Sequence, residues 1–207
     1  EQMGARKLTT VYIGGGTPTT LEPEQLRRLL SHIQETFDFT WVKEYTVEAG
    51  RPDSITEEKL KVIKNHDITR ISINPQSMQQ KTLDVIGRKH TVEEIKEAYA
   101  LARKTGFDNI NMDIIAGLPG EDISDMEDTL AQIAQMHPDS LTVHSLAIKR
   151  AARMEIEDLN RDAKETQEIL SGMIERAAKA AKEMDLFPYY LYRQKNIAGN
   201  FENVGYA

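Results

Sequence analysis

Five short runs rich in β-branched and aliphatic residues, at 9–13, 44–48, 70–74, 109–115 and 140–144, alternate with stretches of helical periodicity. The repeat is roughly 30 to 35 residues, the length of a strand plus a crossover helix, so the chain reads as successive parallel βαβ units. The helix after the first run carries Leu26, Leu29, Leu30, Ile33 and Phe37 on one stripe, with Pro23 suited to its first turn. Thr56 is expected to cap the second, where Ile55 and Leu60 sit at hydrophobic-staple spacing. A short helical segment follows at 81–87. Thr91-x-x-Glu94 and Ser124-x-x-Glu127 have capping-box spacing before further apolar stripes, and Gly106 stops the first of these. A long helix over 161–184 and a further strand over 189–192 complete the reading. Units of this kind close into a barrel or form an open doubly wound sheet, and both put functional groups at the C-terminal ends of the strands.

The 207 residues suit one domain, with the last stretch, about 188–207, starting a C-terminal extension. A first residue other than Met and an end without stop signals suggest a piece of a longer protein. Without cysteine, no disulfide and no thiolate-held metal or cluster can form within these residues. A net charge of −7 argues against a large basic surface, so no nucleic-acid partner is expected. No apolar run is long enough for a membrane span, and the N-terminus lacks the apolar core of a signal peptide, so a cytoplasmic location is expected.

The strand ends supply a consistent set of groups. The first run leads into Gly14-Gly15-Gly16-Thr17-Pro18-Thr19, the second ends in Glu48, the third in Asn74-Pro75-Gln76, the fourth carries Asp113, and the fifth ends in His144. Three glycines after a strand provide either a tight turn or bare backbone for a ligand. Asp113 lies between apolar neighbours, where a carboxylate requires a partner. Glu48 and Asp113 can accept from an ammonium or from ribose hydroxyls, Gln76 can donate or accept, and Arg88 can hold a carboxylate through its fork. Singly, each is equally a satisfied structural residue or, for Arg88, an exposed loop cation. Together they suit a nucleoside joined to an amino acid.

The ordered set Gly14-Gly15-Gly16-Thr17-Pro18-Thr19, Val47-Glu48-Ala49, Asn74-Pro75-Gln76-Ser77-Met78, Gly87-Arg88-Lys89-His90-Thr91 and 111–120 (NMDIIAGLPG) resembles the oxygen-independent coproporphyrinogen III oxidase family of radical S-adenosylmethionine enzymes. The resemblance implies an α/β fold, a partial TIM-like barrel of (βα)6 type whose first βα unit, with a C-x₃-C-x₂-C loop for a [4Fe–4S] cluster, lies before this chain. It implies S-adenosylmethionine as cofactor, with Gly15, Gly16 and Thr17 at the glycine floor near the methionyl amino group and Glu48 toward the same end. By the same resemblance Arg88 holds the carboxylate, Gln76 and Asp113 contact the ribose, and Ile115 and Leu146 line the adenine pocket. The implied activity is oxidative decarboxylation of coproporphyrinogen III propionates to vinyl groups, with an external electron donor and a porphyrinogen substrate; the alternatives are a haem-binding, chaperone-like relative of the same family or a radical S-adenosylmethionine enzyme acting on another substrate. These residues alone, lacking cluster ligands, are expected to be inactive. Ala49-Gly50-Arg51-Pro52 and Asn74-Pro75 depart from the commoner versions of those segments and mark a divergent branch. His144 and the Lys149-Arg150 pair are possible contacts for substrate propionates, although a solvated loop accounts for the pair as well.

Overall fold

A computed structural model describes residues 7–146, 163–192 and 202–207. The elements run β1 (Thr10–Ile13), α1 (Pro23–Thr36), β2 (Glu44–Gly50), α2 (Glu57–Lys64), β3 (Arg70–Gln76), α3 (Gln80–Val85), α4 (Val92–Lys104), β4 (Ile110–Ala116), α5 (Ile123–Met136), β5 (Ser140–Ser145), α6 (Ala163–Glu183), β6 (Pro188–Tyr192) and β7 (Asn203–Tyr206). They build one sheet in the order β1-β2-β3-β4-β5-β7-β6. β1 to β5 are mutually parallel, as the alternation requires, and the sheet is of the curled, partial-barrel kind rather than an open doubly wound one.

Strand alternation divides this sheet into two unlike faces. Val47, Ile71, Ile73, Ile110, Met112, Ile114 and Leu141 are fully buried, in one core with Leu26, Leu30, Leu60, Ile63, Ile95, Met126, Leu130 and Met173 from the helices. Each such side chain contributes about 1.5–3 kcal/mol of burial, so this face carries the stability. The alternate residues Ser72, Asn74, Asn111, Asp113, Thr142 and His144 point to the other, concave face.

One helix start follows the sequence reading and one differs from it. After a 3-10 turn at Pro18–Thr20 the chain enters α1 at Pro23, which takes the first turn as expected. α5 is capped by Asp122 rather than Ser124: its Oδ1 accepts from the amides of Ser124 (2.7 Å) and Asp125 (3.2 Å), while Asp125 Oδ2 accepts from the Asp122 amide (3.1 Å). Asp caps as well as Ser and comes first after the Gly120 turn, so the box shifts two residues upstream. The capping pair at Thr91 and Glu94 forms as expected.

β7 alone runs against the other strands of the sheet. β7 pairs antiparallel with β5, Leu141 opposite Tyr206, and β6 pairs antiparallel with β7 as the last strand of the sheet. The Tyr189 ring lies against Gly205, where an added Cβ would meet Tyr189 Cε1 at 3.0 Å. The Tyr189 hydroxyl accepts from Arg70 Nη2 (3.2 Å), which also donates to Ser140 Oγ (3.0 Å), so one guanidinium ties the N-terminal ends of β3 and β5 to β6. Among the described residues no helix is long and apolar enough to cross a membrane.

Candidate active site

The glycine segment after β1 does three separate jobs. A Cβ at Gly14 would run into the Tyr12 ring and the Glu48 carboxylate, so this position is glycine because its neighbours leave no room. Gly15 has φ +103, a conformation that side chains rarely adopt. At Gly15 and at Gly16 an added Cβ would meet nothing within 4 Å, so both present bare backbone to open space. Thr17 turns its side chain the other way, onto Gly50, whose φ is +59 and whose Cβ would meet Thr17 Cγ2 at 3.1 Å.

A buried lysine anchors this floor. Lys59 of α2 donates through Nζ to the carbonyls of Thr19 (2.7 Å) and Ser54 (3.3 Å), and Thr19 Oγ1 donates to the Ala49 carbonyl (2.7 Å). The turn after the glycines is thereby fixed to the segment after β2. Periodicity identifies Lys59 only as an outward helix residue, so its burial was not legible in the sequence.

Across the concave face the polar side chains form one continuous relay. Glu48 Oε2 accepts from the Gly15 amide (3.3 Å) and the Tyr12 hydroxyl (3.4 Å), and Oε1 accepts from Asn74 Nδ2 (3.2 Å). Ser72 Oγ donates to Asn74 Oδ1 (2.8 Å), and Asn111 Nδ2 donates both to Ser72 Oγ (2.8 Å) and to Asp113 Oδ1 (2.5 Å). Thr142 Oγ1 donates to Asn111 Oδ1 (3.0 Å), and His144 Nε2 lies 3.8 Å from Asp113 Oδ2. Asp113 thus has the partner its apolar neighbours required. Partial burial, then the Glu48 and Asp113 carboxylates, pushes the Tyr12 phenol up to about 12, so it remains a donor at neutral pH.

Sequence reasoning about strand ends found Glu48, Asn74, Asp113 and His144 but missed Tyr12, Ser72, Asn111 and Thr142. Ser72, Asn111 and Thr142 lie at polar positions alternating with buried apolar residues, which marks their face but not the cross-strand partner each meets, and Tyr12 stands between the half-buried Val11 and Ile13. Gln76 sits at the rim with φ 69, its Nε2 reaching only the Asn74 carbonyl (3.5 Å). Ile115 and Leu146 are half-buried at the ends of β4 and β5, Leu146 being tied by its amide to the Ala116 carbonyl (2.9 Å). Arg88 stands apart from the relay. It is half-buried after α3, and burial, then the Arg51 guanidinium, lowers its pKa against the opposing pull of Asp53. Two guanidinium groups near one carboxylate leave positive charge for an anion. Lys149 and Arg150 lie outside the described residues.

Taken together, the fold and this rim define a parallel α/β partial barrel that presents bare backbone and carboxylates at the strand ends, with a half-buried cation after α3. The chain belongs to the Radical SAM superfamily, which it matches over residues 1–133. It is 50% identical over 202 residues to the oxygen-independent coproporphyrinogen-III oxidase-like protein HemZ of Bacillus subtilis, covering 97% of this chain and 40% of that protein. It is 34% identical over 147 residues to the heme chaperone HemW of the same organism, covering 70% of this chain and 38% of that one. The coproporphyrinogen III oxidase HemN of Escherichia coli superposes with a TM-score of 0.75 at 25% identity, over 88% of this chain and 42% of HemN. The chain therefore spans about two fifths of the length of these relatives.

Members of the superfamily bind S-adenosylmethionine and a [4Fe–4S] cluster. The residues present fit the first: open backbone at Gly15 and Gly16 faces Glu48, and Arg88 supplies positive charge. They do not fit the second. There is no cysteine in the sequence, and among the described residues no group of three or more His, Asp or Glu is placed to hold a metal ion.

Proposed function

We propose that this chain forms the S-adenosylmethionine-binding wall of a radical enzyme that converts propionates of coproporphyrinogen III to vinyl groups. The observation that carries the reading is the relay from Gly15 through Glu48 and Asn74 to Asp113, beside open backbone at Gly15 and Gly16, where an added Cβ would meet nothing within 4 Å. In this reading the carbonyls of the floor and Glu48 accept the ammonium of the methionyl group, and Arg88 holds its carboxylate. Asp113 and Gln76 accept the ribose hydroxyls, and Ile115 and Leu146 flank the adenine. With S-adenosylmethionine bound, and cluster ligands and an electron donor supplied from outside this chain, the site provides hydrogen-atom abstraction. The protein's own contribution is orientation: Tyr12 and Asn74 hold Glu48, and Asn111 and His144 hold Asp113, before any ligand arrives.

A second reading, a haem-binding protein built on the same barrel, is favoured by the likeness to HemW. The deciding experiment reconstitutes the full-length protein anaerobically with iron and sulfide and supplies S-adenosylmethionine, reductant and coproporphyrinogen III. 5′-Deoxyadenosine and vinyl product, followed by mass, should both form. Stable haem binding without either product would replace the oxidase reading with the second.

A further inference from the structure

Glu121 is buried, 4% exposed, and its ion-pairing neighbours are spoken for: Lys81 Nζ is 2.8 Å from Asp125, not from Glu121. It faces Lys81 and Thr82 of α3, Asp125 of α5, and the hydroxyl of Ser77, which donates to Glu121 Oε1 at 2.5 Å. A carboxyl buried without a cation is costly to keep, so its partner deserves a physical explanation. Ser77 is 1% exposed and follows Gln76, a non-glycine residue with φ 69. Such a backbone persists only where its surroundings hold it.

What holds it comes partly from the segment itself and partly from the next βα unit. The Gln79 amide donates to Ser77 Oγ (3.1 Å), the Met78 amide to Thr129 Oγ1 (3.2 Å), and Gln79 Nε2 to Asp128 Oδ2 (2.6 Å), while Gln132 Nε2 donates to the Met78 carbonyl (3.3 Å). All of these α5 partners lie on the helix itself. Glu121 alone belongs to the loop between β4 and α5, which also carries the Gly117 and Gly120 turns. The ladder already pairs Gln76 with Ile114, and Glu121 adds a side-chain tie from the β4–α5 loop to the residue that follows the Gln76 turn.

We propose that Glu121 is a positioning residue that, through the Ser77 hydroxyl, holds the left-handed turn at Gln76 in place to meet a ribose. The proposal rests on the reading of Gln76 as a ribose contact. It assigns Glu121 no contact with the ligand. Its effect runs through Ser77 and the left-handed turn at Gln76.

The test uses full-length protein with Glu121→Ala, Glu121→Gln and Ser77→Ala, read by amide hydrogen exchange at Ser77, Met78 and Gln79 and by equilibrium binding of S-adenosylmethionine. Glu121→Ala and Ser77→Ala should speed exchange and weaken binding about tenfold, the scale of one hydrogen bond to a buried carboxyl. Glu121→Gln, whose amide oxygen still accepts from Ser77, should stay within about threefold of the wild type in both. Unchanged affinity in a folded Glu121→Ala protein overturns the role, as does failure of Gln to rescue. If Glu121→Ala does not fold, Ser77→Ala, which deletes one oxygen, decides alone by the same criteria. A wild-type protein that does not bind S-adenosylmethionine overturns the ribose reading itself, and the positioning role with it.

Discussion

The two faces of β3 and β4 differ more than any two separate regions of the molecule. On one face Ile71, Ile73, Ile110, Met112 and Ile114 are sealed under helices; on the other, a residue away in each case, Ser72, Asn74, Asn111 and Asp113 bond one another across strands. The first face needs only volume and apolarity, which many sequences supply. The second needs each donor matched to an acceptor, because a single unpaired member in a half-buried network costs more than its bond returns. The apolar core and the polar relay thereby occupy opposite sides of the same backbone.

The largest break in that comparison is a cavity on the sealed face. Ile73→Ala should lower unfolding free energy by about 2–5 kcal/mol, measured by urea denaturation. Ser72→Ala, its neighbour on the relay, should cost about 1 kcal/mol in the same assay, since Asn74 and Asn111 retain other partners. If the two substitutions cost the same, the division between faces is wrong.

A smaller effect sharpens the boundary between them. Burial raises the Glu121 pKa despite the opposing hydrogen bond from Ser77, so the folded protein holds this proton more tightly than the unfolded chain does. The sign follows: stability from this group is fully present below the ordinary glutamate value, about 4.3, and is lost as pH rises through the raised value. Denaturation midpoints across that window should fall less steeply with pH in Glu121→Gln than in the wild type. Parallel pH profiles would show that Glu121 does not titrate in this range.

Much of this was legible in the chain. The five parallel strands follow from period-two and period-3.6 patterning, because a buried parallel sheet needs aliphatic runs and crossover helices. β7 was not, since Asn203-Val204-Gly205-Tyr206 has only four residues and becomes a strand by pairing with β5, some sixty positions earlier. At the site, side chains at strand ends stood out, whereas Tyr12 and Asn111 did not, because their roles depend on which cross-strand neighbour they meet. Register decides that, and the irregularities at Glu48/Gly50 and Ile73/Gln76 shift it in a way no local pattern encodes.

The central claim is that the concave relay binds S-adenosylmethionine, and equilibrium binding to the full-length protein tests it most directly. Glu48→Ala and Asp113→Ala should each weaken binding by about tenfold or more, while a paired Leu30→Val control on the sealed face loses stability and keeps its affinity. Wild-type affinity in both relay variants would contradict the claim and leave the polar face a structural feature of the barrel.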